Sequence, residues 1–175
     1  MLILSWNVAG LSTTVKRIND NYKPGGKNAS ALSNFFALHH ADIVCLQEHK
    51  IPKTALANSS EPLLLTNDYE SFWSCCVDER RKGMNGVVTY VRKGRVVSAN
   101  AAPFNDPDVD RQGRCVMTDH GAFVLFNVYV PCTSSGRALC NKMKFLNALR
   151  QVMCEQRKSK PVILVGDLNI ARDKK

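Results

Sequence analysis

The residues with the most chemical promise in this 175-residue chain lie where apolar runs stop. Pro161 opens the run Val162-Ile-Leu-Val165, which breaks at Gly166, and Asp167 and Asn169 follow two residues apart. The run is too short for a helix and rich in β-branched side chains, so it reads as a strand buried on both faces. If extended geometry persists, the spacing puts a carboxylate and an amide on one face at the strand's C-terminal end. Three other strand-like runs also finish on a polar side chain: Asn7, Glu48 and Tyr129. Singly, each has a structural explanation. Asn7 suits a turn, Glu48 a solvated charge, Tyr129 a half-buried core aromatic, and Gly166 to Asn169 a polar turn closing a strand. Gathered on one edge of one sheet, they amount to an amide, a carboxylate, a phenol and a carboxylate–amide pair. That set suits a hard divalent cation, which takes oxygen ligands and keeps several waters. It also suits phosphoryl transfer, where positioning and charge neutralisation carry most of the catalysis. His49 stands beside Lys50 and reads as solvent-facing rather than as a ligand.

The elements that must hold these side chains follow from pattern. Leu2 to Trp6 reads as a first strand, and residues 12 to 28, with Pro24-Gly25-Gly26, as a loop or a frayed helix start. Leu32, Phe35, Phe36 and His39 fall at helical spacing, with Asn28 or Ser30 available as the cap. Asp42 to Glu48 is a second buried strand, and residues 50 to 68 are mostly loop with a short helical turn. Tyr69 to Cys76, Gly86 to Arg92 and Arg95 to Ala99 are strand-like, the first two joined by the charged stretch Asp78 to Gly83. Residues 101 to 113, with Pro103, Pro107 and three aspartates, read as loop. Arg114 to Asp119 and Ala122 to Val130 form a hairpin across His120-Gly121. A helix of about five turns follows, with Leu139, Met143, Leu146, Leu149 and Met153 as its apolar stripe. Hairpins plus a few helices indicate an α+β layered fold with helices outside a mixed sheet.

Composition narrows the partners. A formal charge of +9, from 24 Lys+Arg against 15 Asp+Glu, favours polyanions, nucleic acid ahead of anionic membrane. The 45% apolar content is that of a globular domain. Seven cysteines, an odd number without a C-x-x-C pair, point to a reducing compartment and no zinc site. The apolar start Leu2-Ile-Leu4 is cut short by Asn7, so no secretory signal is expected, and no apolar run has the length of a membrane span. No P-loop and no G-x-G-x-x-G is present, which argues against a nucleotide-binding α/β fold.

Six blocks, in order, carry a resemblance: Ser5-Trp-Asn-Val-Ala-Gly-Leu11, Ala41-Asp-Ile-Val-Cys-Leu-Gln-Glu-His-Lys50, Asn85-Gly-Val-Val-Thr-Tyr90, Asp110-Arg-Gln-Gly-Arg114, Asn127-Val-Tyr-Val-Pro131 and Val165-Gly-Asp-Leu-Asn169. With them the chain resembles the exonuclease III-type apurinic/apyrimidinic endonucleases of the endonuclease/exonuclease/phosphatase superfamily. Lys142-Met-Lys-Phe145 makes it most like the second eukaryotic type. The resemblance implies a four-layered α/β/β/α sandwich with its site at one rim of two packed sheets. It implies Mg²⁺, or Mn²⁺, held by Glu48 with Asn7 and Asp167 contributing. It implies Asp167 as the group that orients or deprotonates the attacking water. Asn169 and Asn7 would hold the scissile phosphate and metal-bound waters, and the Tyr129 phenol would hydrogen-bond the phosphate. The implied reaction is hydrolysis 5′ to an abasic site in DNA, with trimming of 3′-blocked ends and of 3′ nucleotides. Nuclear residence is implied by the repair role.

The chain departs from the family pattern in places. Ala9 stands where some relatives have an acid, and His49 where Thr is common, next to the implied metal ligand. The family pattern also continues into a further half-sheet with an Asp-His pair, whereas this sequence stops at Lys175, six residues past Asn169. The expectation is that residues 1–175 are the N-terminal portion of one such domain, with the second sheet truncated and with weak or no activity alone. Two alternatives are kept: a retroelement-type endonuclease or other phosphoesterase of the same superfamily, and a non-catalytic fragment that binds nucleic acid through charge.

Overall fold

The computed structural model describes residues 1–21, 30–58, 68–78, 81, 83–133 and 136–170. Pro24-Gly25-Gly26, part of the 50–68 loop, part of the Asp78–Gly83 connection and Ala171 to Lys175 lie outside them. The elements run β1 (Ile3–Asn7), α1 (Leu11–Asn21), α2 (Ala31–Leu38), β2 (Ile43–Gln47), α3 (Lys53–Asn58), β3 (Tyr69–Ser74), β4 (Val87–Arg92), β5 (Ser98–Asn100), α4 (Pro107–Asp110), β6 (Cys115–Asp119), β7 (Val124–Tyr129), α5 (Gly136–Gln156) and β8 (Val162–Asp167).

The strands form two four-stranded sheets rather than one, ordered β1-β2-β4-β3 and β5-β6-β7-β8. In each, a parallel pair stands at one edge, β1 with β2 and β7 with β8, and the remaining neighbours are antiparallel. The sheets pack face to face through Ile43, Cys45, Val91 and Leu125, with Ile163 and Val165 against them. On the outer face of the first sheet, Leu11, Val15 and Ile18 of α1 and Leu32 and Phe36 of α2 cover Val44, Leu46, Val88 and Tyr90. On the outer face of the second, Phe145 and Leu149 of α5 cover Val124, Phe126 and Val128. The result is the four-layered α/β/β/α sandwich. No helix among the described residues is long and apolar enough to cross a membrane.

Several sequence expectations are corrected, and the choice of cap for α2 is decided. Residues 11–21 form a helix, because Leu11, Val15 and Ile18 recur at helical spacing and bury one face. Ser30 is the cap of α2, its Oγ accepting from Ser33 N at 3.1 Å. Residues 107–110 form one helical turn with Pro107 at its start and Asp106 as its cap, accepting from the Asp108 N–H. The short strand of the 95–99 region is shifted to Ser98–Asn100. The buried face of α5 is set by Lys142, Phe145 and Leu149; Leu139 and Met143 are 51% and 48% exposed. Among the described residues β8 is half-buried along its length and stands last in its sheet.

A polar pin crosses the apolar interface between the sheets. Asn127, fully buried on β7, accepts from Gln47 Nε2 at 2.8 Å and donates to Val88 O at 3.0 Å and Thr89 Oγ1 at 3.2 Å. Every contact reaches the opposite sheet, and Gln47 stands next to Glu48, so this amide fixes how the two rims meet. Asn127→Ala is expected to cost about 3 kcal/mol, from lost hydrogen bonds and an unfilled hole. A urea unfolding curve checks it.

Candidate active site

β1, β2, β7 and β8 all end at the same rim, with Asn7 paired to Gln47 in one sheet and Tyr129 paired to Asp167 in the other. The cluster is therefore assembled from two sheets, not along one edge of one. Asn7 is its hub. Its Nδ2 donates to Glu48 Oε1 at 2.9 Å and to Asp167 Oδ2 at 2.8 Å, across 160 positions of sequence in the second case. Its Oδ1 accepts from the Ala9 N–H at 3.0 Å, which fixes the amide orientation.

Glu48 reaches this hub because the chain turns sharply where β2 ends. Glu48 and Lys50 have φ of 54° and 56°, left-handed values that a side chain with a Cβ adopts at a cost. Three backbone bonds hold the turn: Leu11 N to His49 O, His49 N to Gly86 O and Lys50 N to Asn85 O, between 2.9 and 3.1 Å. Burial alone would raise the Glu48 carboxyl, but hydrogen bonds from Asn7, Lys50 and Tyr129 outweigh it and hold the group below its usual range. Lys50 Nζ lies 3.1 Å from Glu48 Oε2. The same surroundings act on Tyr129 in reverse: burial, then its hydrogen bond to Glu48, push the phenol up to about 12. It stays a donor at neutral pH.

Asp167 has both oxygens engaged, Oδ2 by Asn7 and Oδ1 by the Asn169 N–H at 3.0 Å. Extended geometry does not persist beyond it. Asn169 has φ 49°, and its amide donates to Val130 O at 2.9 Å, so it braces the turn under Asp167 instead of joining the hub. Lys142, nearly buried on α5, donates to Asn169 O at 2.6 Å and ties this turn to the outer helix.

His49 is 1% exposed, against the expectation of a solvent-facing ring. Nδ1 accepts from Ile51 N at 2.9 Å, Nε2 faces Ser74 O at 3.3 Å, and the ring meets Trp73 edge-on at 5.0 Å. It is a neutral wedge inside the Glu48 turn, its pKa lowered by burial to about 4. An unfolded chain takes up that proton near 6.5, so between 6.5 and about 4 unfolding binds a proton the folded state refuses. Stability from this group is complete above pH 6.5 and falls by about 2–3 kcal/mol on going to pH 4.5. Urea unfolding at pH 7 and 4.5 should show His49→Asn losing that part of the pH dependence.

Among the described residues no three His, Cys, Asp or Glu side chains gather into a ligand cluster. The acidic donors at this rim are two, Glu48 and Asp167, joined by one amide. Sequence patterns alone give no weight to Lys50 or Arg114, although both lie inside the blocks quoted above. Lys50 reaches Glu48 only through the left-handed turn between them, and Arg114 reaches Tyr129 only once β6 and β7 are paired.

The family model for the Endonuclease/Exonuclease/phosphatase family matches residues 4–174. The chain belongs to that family. Among family relatives, DNA-(apurinic or apyrimidinic site) endonuclease 2 of Schizosaccharomyces pombe is 30% identical over 97% of this chain and 37% of the relative. The protein of the same name from Homo sapiens is 29% identical over 97% of this chain and 38% of its own length. The exodeoxyribonuclease of Bacillus subtilis is 26% identical over 98% of this chain and 59% of the relative. The chain thus spans between 37% and 59% of the length of these family members. The Xenopus laevis APE2 catalytic domain superposes with a TM-score of 0.77 at 22% identity, covering 99% of this chain and 60% of that one. The Leishmania major AP endonuclease LMAP gives 0.70 at 27% identity, covering 97% and 55%. The fold is shared over the whole described chain.

Proposed function

We propose that the protein is a divalent-metal-dependent phosphodiesterase of DNA repair, cleaving 5′ to abasic sites and trimming 3′-blocked ends. The observation that carries this reading is the Asn7 hub, which joins the carboxylates of two sheets at one rim. Two carboxylates, one held low, suit a Mg²⁺ or Mn²⁺ ion that keeps waters and takes a phosphate oxygen, so the residues fit the ion. Glu48 would hold it, with Asp167 and Asn7 alongside. Bound there, the ion would neutralise charge on the phosphate and on the departing oxygen.

The chain's own groups divide the remaining work. The Asp167 carboxylate takes the proton of the water whose oxygen attacks phosphorus. As that bond forms, the bond from phosphorus to the 3′ oxygen breaks, and this oxygen leaves as a 3′-hydroxyl after protonation from solvent. Tyr129, kept protonated, turns its O–H from Glu48 to a non-bridging phosphate oxygen as charge builds there. Asn7, its two amide hydrogens given to Glu48 and Asp167, holds the two carboxylates together, and Asn169 keeps Asp167 aimed. The net charge of +9 favours the DNA backbone as partner and predicts salt-sensitive binding.

A duplex with one tetrahydrofuran abasic analogue, labelled at 5′ and incubated with the full-length protein, tests the reading. The expected product is a nick immediately 5′ to the analogue with Mg²⁺ or Mn²⁺ and none with EDTA. Intact duplex under all metal conditions, with binding retained, would favour the charge-only binder. Cleavage of small phosphoesters instead would move the substrate elsewhere in the superfamily. The repair role also places the protein in the nucleus, and a fluorescent fusion excluded from the nucleus would contradict that.

A further inference from the structure

One charged side chain at this rim has no part in the mechanism above. Arg114 precedes β6, and its guanidinium lies over the Tyr129 ring, 4.8 Å from Cζ to the ring centroid. Its three nitrogens go three ways: Nη1 to Tyr129 O at 3.0 Å, Nε to Gln112 Oε1 at 3.1 Å and Nη2 to Asn85 Oδ1 at 3.3 Å. The Arg114 carbonyl accepts the Tyr129 N–H at 2.9 Å, so one residue grips the tyrosine by its N–H, its C=O and its ring face. Asn85 in turn accepts the Lys50 N–H through its carbonyl at 2.9 Å. Arg114 therefore touches Tyr129 directly and the Glu48 turn through one intermediary.

We infer that Arg114 is the positioning residue of the proposed reaction: it fixes the Tyr129 phenol against the Glu48 turn so that the O–H meets the phosphate. The role rests on the reading of Tyr129 given above, but the geometry it asserts stands apart from any activity. Only a guanidinium fits. Its planar fork supplies donors in three fixed directions while its face stacks on an aromatic ring, and a lysine ammonium is a point charge on a flexible stem. The guanidinium is half-buried and burial lowers its pKa, yet it remains a cation, so a phosphate arriving at Tyr129 meets positive charge behind the ring.

The test is a cycle of Arg114→Lys and Tyr129→Phe in the full-length protein, read on the tetrahydrofuran duplex. Tyr129→Phe keeps the ring and the stacking and removes only the hydroxyl. It should lower kcat by about 10²-fold, and Arg114→Lys by about 10- to 100-fold with KM little changed. The double variant should be no slower than Tyr129→Phe alone, because a misplaced ring matters only while it carries its O–H. Losses that multiply, or a rise in KM at constant kcat, would overturn the inference and make Arg114 an independent DNA contact or a general fold determinant. A second readout needs no substrate. In protein labelled with ¹³C on the tyrosine rings, the Tyr129 signal is assigned by its loss in Tyr129→Phe. Arg114→Lys should shift that signal and quicken its ring flips while Tyr69 and Tyr90 hold still. A lowered Tm with an unmoved Tyr129 signal would sink the positioning role even if the wild-type protein cleaves nothing. Moved signals with no cleavage by the wild type would instead leave the positioning intact and remove the reaction.

Discussion

Asp167→Ala should lower phosphodiester cleavage by about 10²–10⁴-fold, the range a well-placed proton acceptor supplies, while DNA binding stays the same or tightens. The two halves of that result have different causes. The attacking water loses the group that takes its proton, so the loss falls on kcat. A rim that must receive a phosphate loses a negative charge, so affinity does not suffer. Asp167→Asn is the sharper variant. The carboxylate accepts from two donors at once, Asn7 Nδ2 through Oδ2 and the Asn169 N–H through Oδ1. A carboxamide has one oxygen and must turn its NH₂ toward the other donor. The Asp167→Asn protein would therefore lose the base and also push either Asn7 or the turn beneath it. Asp167→Ala relieves that conflict by removing both contacts, and the half-buried position limits its stability cost to about 1–2 kcal/mol. Single-turnover rates and DNA affinities for the three proteins decide the matter. Activity in Asp167→Ala within tenfold of wild type would take Asp167 out of the proton-transfer role.

What the sequence could and could not disclose follows from the range of each signal. Strand ends were legible because β2 carries an unbroken apolar run and β7 a run interrupted only by Asn127, each stopping at a polar residue, a local pattern of period and length. The same kind of run reports what β8 can bury against, and Ile163 and Val165 do pack between the sheets. The α5 stripe holds at Leu146, Leu149 and Met153 and fails only in its first half. Leu139 and Met143 keep the helical period, but the face that docks holds Lys142, whose ammonium finds the Asn169 carbonyl. His49 read as exposed because its neighbour is Lys50, yet the left-handed turn at Glu48 and Lys50 throws the imidazole inward against Trp73. The grip of Arg114 on Tyr129 needed a third dimension altogether, since its acceptors come from residues 85, 112 and 129.

That dependence on backbone detail is steepest at Gly166, and Gly166→Ala should be among the most destabilising single-methyl changes in the chain. Gly166 has φ 132°, and it pairs with Val128 in the parallel ladder of β7 and β8. A Cβ there would lie 2.0 Å from the Val128 carbonyl oxygen and 2.9 Å from both Val128 N and C. All three atoms belong to backbone in mid-ladder, so nothing small can swing aside. Gly10 provides a matched control: its φ is 129°, and a Cβ would meet nothing within 4 Å. Gly10→Ala should cost only the conformational strain, about 1–3 kcal/mol. Gly166→Ala adds the collision, bringing its loss to about 4 kcal/mol or more and its fall in Tm to about 10 °C or more. The consequence for the site is direct. Asp167 is the next residue, its carbonyl holds the Val130 N–H at 2.9 Å, and its carboxylate meets Asn7 at 2.8 Å only while β8 stays this close to β7. Gly166→Ala should then lose cleavage along with stability, even at temperatures where the protein is still folded. Thermal unfolding of the two alanine variants side by side separates the causes: equal losses would mean that the backbone angle, and not the approach of β8 to Val128, is what the glycine supplies.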